Sequence, residues 1–154
     1  MQVFITGSPL ETAMALDSKR LNKQIIECGQ ILDALNGAKA WRNHPCVLQY
    51  SEHKDWLIAY SKCLYEYQKY KLQIDYPLYD HLGMARIWNL YAMDFQPSFH
   101  KDLYFDQMKR RLYTKDKVHY KQWAHLGESQ ENWYFVDGEW RKYIKGKRII
   151  NKRI

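Results

Sequence analysis

The sequence predicts a mainly α-helical, compact single-domain bundle with a C-terminal β-hairpin and a basic tail. Three observations carry that reading. Four segments repeat apolar residues at steps of three and four, helix-start and helix-stop residues stand at their ends, and after Lys115 the pattern shifts to aromatic and β-branched residues flanking Asp137-Gly138. At 154 residues the chain is long enough to bury a core without disulfides or metals, so one domain over 1–154 is expected, with 139–154 a basic C-terminal segment.

Ser8-Pro9-Leu10-Glu11 combines an N-cap serine, proline at the first helical position and glutamate at N3, so a helix should begin at Pro9. It is expected to run to about Leu35, where Asn36-Gly37 supplies a C-cap, with room for a bend in Ala15–Lys19. The stretch Ala38–Pro45 reads as a loop, and Pro45 opens or precedes the next helical run. From Ser51, the spacing of Leu57, Tyr60, Leu64, Tyr67 and Tyr70 predicts a long helix ending near Leu72. Pro77 interrupts it, a third helix covers Leu78 to Met93, and Pro97-Ser98 separates that from a fourth, Phe99 to Tyr113. Residues 115–123 suggest a short helix. In 132–144, Asp137-Gly138 favours a type I′ turn between two strands.

The formal charge of +7 and the 16% aromatic content suggest a polyanionic partner met by cations interleaved with rings. Residues 139–154 hold seven Lys/Arg against one acid, which concentrates the charge at the C-terminus. Cys28, Cys46 and Cys63 form no CxxC pair and read as small core residues in a reducing compartment. The start MQVFITGSP lacks the features of a signal peptide, and no 18-residue apolar run is present, so an intracellular, cytoplasmic and nucleoid-associated protein without membrane attachment is expected. His44, His53, His81, His100, His119 and His125 show no HxxxH or HExxH spacing, and nucleotide-binding glycine motifs are missing. No cofactor and no metal are expected.

The stretch ALDSKRLNKQIIECGQIL, residues 15–32, places Leu21, Ile25, Cys28 and Ile31 on one apolar stripe. Arg20, Lys23 and Glu27 share a flank, because seven residues at about 100° each return roughly to the same direction. Lysine four residues before glutamate is the weaker orientation of a helical ion pair. Cations around a carboxylate keep it ionised and offer phosphates a seat beside a proton acceptor; a solvated mixed-charge face is the plainer alternative.

Three blocks together, LDSKRLNKQIIECGQIL, Trp41-Arg42-Asn43-His44-Pro45 and PSFHKDLYFDQMKRRLYTKDKVHY, resemble the pyrimidine-dimer DNA glycosylase family, the small endonuclease V type with AP-lyase activity. The resemblance implies a compact helical, metal-independent enzyme that kinks double-stranded DNA and exposes a damaged nucleotide. In that family a backbone α-amine attacks the sugar C1′ and the resulting imine permits β-elimination. An α-amine, with an ordinary pKa near 8, is partly neutral at physiological pH, which suits it to that role. Gln2 is bulky and should block removal of the initiator methionine, so the amine implied is that of Met1. The family's glutamate aligns with Glu27, while Ile26 and Gln30 stand where the founding member carries arginines.

Met1 and Glu27 are thus the catalytic residues that the resemblance implies, with Gln2, Lys19, Arg20, Lys23, Arg42, Asn43 and His44 as DNA contacts near them. His100, Lys101, Arg110 and Arg111 form a possible second DNA-binding edge, and Trp140, Arg141, Lys142 and Tyr143 a third group, able to stack or wedge bases. Each has a structural alternative: Asn-x-Pro is a common helix-entry turn, and hairpin aromatics commonly pack on helices. A monomer is expected. The alternatives in function are a non-catalytic DNA-binding or host-interaction protein on the same scaffold, or an enzyme of modified-base metabolism.

Overall fold

The computed structural model describes residues 1–144 and 147–150, the last four by backbone alone. The remainder of the basic tail, 145–146 and 151–154, lies outside the described residues. The chain is mainly helical and forms two compact units, Met1–Pro97 and Ser98–Ile154.

The first unit contains α1 (Pro9–Ala15), α2 (Ser18–Leu35), α3 (Pro45–Gln49), α4 (Lys54–Lys71) and α5 (His81–Asp94). Capping sets the boundaries. At the start of α1, Pro9 has no N–H, the Leu10 N–H donates to Asn89 Oδ1 (2.8 Å), and Glu11 N–H donates to Ser8 Oγ (3.2 Å). The Thr12 N–H then reaches the Ser8 carbonyl, so every first-turn donor is satisfied. The expected bend in Ala15–Lys19 is a full break. Leu16 is extended and Asp17 caps a new helix, accepting from the Arg20 N–H at 3.0 Å. A Schellman motif ends α2: Ala38 N–H donates to the Asp33 carbonyl, Gly37 N–H to the Ala34 carbonyl, and Gly37 has φ of 106°. Helix α5 starts at His81, three residues later than the spacing suggested, because Asp80 caps it through the Gly83 N–H.

The core of this unit is built around α4. Tyr50, Trp56 and Tyr60 are buried and stack in series, with ring centroids 5.4 and 4.8 Å apart and planes within 14°. Such pairs contribute roughly 0.5–1.5 kcal/mol each beyond their buried area. The N-terminal segment Gln2–Thr6 is also buried, although it belongs to no helix or sheet. Buried backbone groups must find partners, and here side chains supply them. Phe4 N–H donates to Gln24 Oε1 (2.7 Å), the Gln2 carbonyl accepts from Gln24 Nε2 (3.0 Å), the Phe4 carbonyl accepts from the Tyr60 hydroxyl, and Thr6 N–H donates to Thr12 Oγ1 (3.0 Å).

The second unit contains α6 (Asp102–Lys115), a 3-10 helix (Lys121–Leu126) and three antiparallel strands, β1 (Asn132–Val136), β2 (Glu139–Ile144) and β3 (Lys147–Ile150), in the order β1-β2-β3. The predicted hairpin is β1–β2, and Asp137 and Gly138 both have positive φ, as a type I′ turn requires. The third strand was not predicted; its two cations followed by two isoleucines, without alternation, read as tail. Gln107 of α6 fastens the segment before β1, its amide donating to Ser129 Oγ and the Glu131 carbonyl, both at 2.8 Å.

Replacing Tyr60 by phenylalanine removes only the hydroxyl that satisfies the Phe4 carbonyl. Urea unfolding should show a loss of about 1–2 kcal/mol, the cost of one orphaned buried acceptor.

Candidate functional site

The site starts from α2. Gln24, 2% exposed, occupies a polar position beside the apolar stripe and grips the N-terminal segment on both sides of Val3. Its carboxamide presents a donor and an acceptor at fixed separation, as a neighbouring strand would. The segment ending in the Met1 amine is thereby docked against the helix that carries Glu27, one turn further on. The Glu27 side chain is only 14% exposed, and Lys23 Nζ lies 3.8 Å from its Oε1 with its own side chain 68% exposed.

The N-terminal amine and Glu27 both act on the buried Cys46 thiol, in opposite directions. Burial pushes that thiol up to about 12; the N-terminal ammonium and the Val3 backbone N–H pull it down, and Glu27 pushes it up. Burial, then Cys46 and Glu27, raise Cys28 well above the usual thiol range, against a hydrogen bond from Gln24. Both sulfurs therefore stay protonated and offer no rival nucleophile. The ammonium also reaches His44, whose pKa falls below its ordinary value because of burial first and the amine's charge second.

His44 belongs to the Trp-x-Asn-His-Pro element, and the helix-entry geometry is realised there. Its Nδ1 accepts from the Cys46 N–H (3.1 Å), which caps α3 and makes His44, not Asn43, the capping side chain. Trp41 packs edge-on against that ring (5.8 Å) with φ of 64°, and Arg42 and Asn43 are exposed beside it. Lys19 is exposed on α2. Arg20 is held by Asp17 through a 2.8 Å ion pair, so its guanidinium is already engaged.

The site residues expected in the second unit are largely committed to their own surroundings. His100 is buried and lies parallel to Tyr104 (5.9 Å, 9°), while Lys101 is exposed before α6. Arg110 donates to the Glu128 carbonyl (2.7 Å), and Arg111 reaches the Ser129 carbonyl (3.5 Å), with its pKa lowered by burial. Trp140 sits among Phe135, Tyr104, Trp133 and Phe99, at centroid distances of 5.2 to 6.3 Å. Arg141 pairs with Asp137 (3.1 Å), Lys142 lies over the Trp133 ring (4.4 Å), and Tyr143 packs edge-on against Tyr134 (5.6 Å).

Among the described residues, no group of three His, Cys, Asp or Glu side chains could hold a metal ion, and no helix is long and apolar enough to cross a membrane. Sequence reasoning missed Gln24, Tyr60 and Cys46, whose importance rests on contacts 20 or more residues away.

The first unit is thus a helical scaffold in which α2 both holds the N-terminal segment, through Gln24, and carries the largely buried Glu27. Residues 1–74 match the family model described as pyrimidine dimer DNA glycosylase, which supports the family that the sequence motifs resemble. That family suggests a DNA-repair glycosylase with DNA as its substrate. No curated protein and no solved structure matches the chain.

The depressed His44 pKa has a definite sign. The unfolded chain, with histidine near 6.5, takes up a proton before the folded one does, so this group's contribution to stability is complete above 6.5 and declines as pH falls through the lower folded value. Histidine NMR titration should place His44 below 6.5. Acetylation confined to the N-terminus should raise it only part of the way, because burial remains.

Proposed function

We propose that the chain is a DNA glycosylase and AP lyase acting on double-stranded DNA through the Met1 amine and Glu27. The observation that carries this reading is that Gln24, one turn before Glu27 on α2, holds the N-terminal segment through the Gln2 carbonyl and the Phe4 N–H. The buried clamp of Gln24 supplies the rigidity that such placement needs.

The amine's lone pair attacks C1′ of the exposed nucleotide, the glycosidic C–N bond breaks, and the base leaves with a proton. The nitrogen, having given up that proton, keeps the sugar; the ring then opens at C1′–O4′, O4′ takes a proton from solvent, and C1′ is left as an iminium. Glu27 stabilises the positive charge developing on the sugar and then removes a proton from C2′. The electrons move to expel the 3′ phosphate by cleavage of C3′–O3′, leaving a strand break. Lys23 and Lys19 meet phosphates on the same flank of α2, and Arg42 and Asn43 meet them at the exposed turn. Arg20 acts through Asp17 at the start of the helix. The protein works as a monomer, without metal or cofactor.

Borohydride reduction in the presence of a duplex with an abasic site should give a covalent adduct, and peptide mapping should locate it on the N-terminal peptide. Glu27→Gln should lower strand cleavage by about 10²–10⁴ while retaining DNA binding. If neither an abasic nor a thymine-dimer duplex gives an adduct, the lyase mechanism fails. Binding without turnover, weakening by roughly 10³–10⁵ between 50 and 200 mM salt, would establish the non-catalytic alternative.

A further inference from the structure

A second polar cluster stands in the first unit, apart from every group assigned above. His81, the first residue of α5, is 8% exposed, and its Nδ1 lies 2.7 Å from Glu66 Oε2. The other Glu66 oxygen accepts from the Tyr79 hydroxyl at 2.7 Å. An ionised carboxylate can only accept, so the shared proton resides on Nδ1, and Nε2 of the neutral ring is a bare lone pair. That Nε2 is buried without a hydrogen-bond partner. Roughly nine in ten or more of the buried polar groups in folded proteins are paired, so an orphaned acceptor of this kind calls for a donor.

An open cavity of about 660 Å³ borders the cluster, and His81 lines it together with Tyr70, Asp75, Tyr76, Tyr79 and Asp80. Glu66 is not part of that lining, so the ring edge that Glu66 holds is turned from the cavity and the rest of the imidazole faces it. The lining is rich in electrons: two carboxylates, three tyrosine rings and an imidazole lone pair. Residues 72–85 contain two aspartates and no lysine or arginine, although the whole chain carries a net charge of +7. This stretch therefore repels phosphate and attracts cations. Among the described residues, no group of three His, Cys, Asp or Glu could hold a metal ion, which leaves an organic cation as the match. Leu72 and Leu78 are exposed in the same segment and offer apolar surface to an aliphatic stem.

We infer that this cavity binds a primary alkylammonium group, one N–H of which donates to His81 Nε2 while the tyrosine rings and the two aspartates meet its charge. A free polyamine and the lysine side chain of a partner share that head and stem. The site is independent of the chemistry assigned to Met1 and Glu27.

The test titrates spermidine, and separately a capped Gly-Lys-Gly peptide, into the full chain with isotope-labelled histidine, each against its fully N-methylated counterpart. Methylation keeps the charge and removes every ammonium N–H. Nuclear magnetic resonance of the free protein should show His81 protonated at Nδ1 alone. At least one of the two amines should shift the His81 Nε2 resonance saturably, and its methylated counterpart should bind about tenfold more weakly or less. The tighter of the two amines identifies the source. His81→Phe keeps a ring and loses the acceptor, so it should weaken binding about tenfold. Tyr76→Ala changes a residue that is 73% exposed, leaves the fold intact, and should weaken binding about threefold. A proton on Nε2 in the free protein, a methylated counterpart that binds as well as its amine, no saturable shift with either amine, or binding unaltered by Tyr76→Ala overturns the inference.

Discussion

The two hydrogen bonds of Gln24 to the N-terminal segment are the contact on which the first unit's site depends. A segment of Gln2–Thr6 without sheet partners would normally stay in water, where its peptide groups are solvated. Gln24 imitates a strand neighbour on one edge, Tyr60 reaches the Phe4 carbonyl, and Thr12 closes the end at Thr6. The benefit of burying Val3, Phe4 and Ile5 is then obtained with the Gln2 and Phe4 carbonyls and the Phe4 and Thr6 N–H groups paired. Because the clamp and Glu27 stand on the same helix, one turn apart, any movement of α2 carries both. The relation between terminus and carboxylate is set by helix geometry more than by loop packing.

Charge around this arrangement is divided between anchoring and exposure. Asp17 takes up Arg20 and also caps α2, so that cation helps to define where the helix begins. Lys23 stays mostly in solvent while within 4 Å of Glu27, an exposed pair of small energetic weight. Its position therefore matters for the field near the carboxylate more than for stability. Cys46 and Cys28 line the same neighbourhood as neutral, compact side chains, allowing the peptide segment and α2 to approach closely without adding a charge.

Helices were legible where their signals are local. The Ser8 cap, the Asn36-Gly37 stop and the Asp137-Gly138 turn depend on residues within a few positions of one another, and each is realised. The break at Leu16–Asp17 was only half visible, because Asp17 reads equally well as a helix-interior residue until its carboxylate is seen on the Arg20 N–H. Gln24 was hidden for the opposite reason: polar and off the apolar stripe, it has the pattern of a solvated residue, and only the N-terminal segment folding back makes it buried. The second unit shows another limit. Arg110 and Arg111 carry the spacing of a basic helix face, yet carbonyls of residues 128 and 129 occupy their guanidinium groups. Spacing identifies a cation and its helix face, while the loop that meets it comes from elsewhere in the chain.

The buried N-terminal segment also dictates an order of assembly. Its partners lie 20 residues away at Gln24 and 56 residues away at Tyr60. During synthesis this segment can meet Gln24 of α2 early, but the Phe4 carbonyl stays without its partner until Tyr60 of α4 has emerged. The segment's burial is completed only with α4, so a chain stopped short of that helix would leave Val3, Phe4 and Ile5 incompletely covered and adhesive, for chaperones or proteases to find.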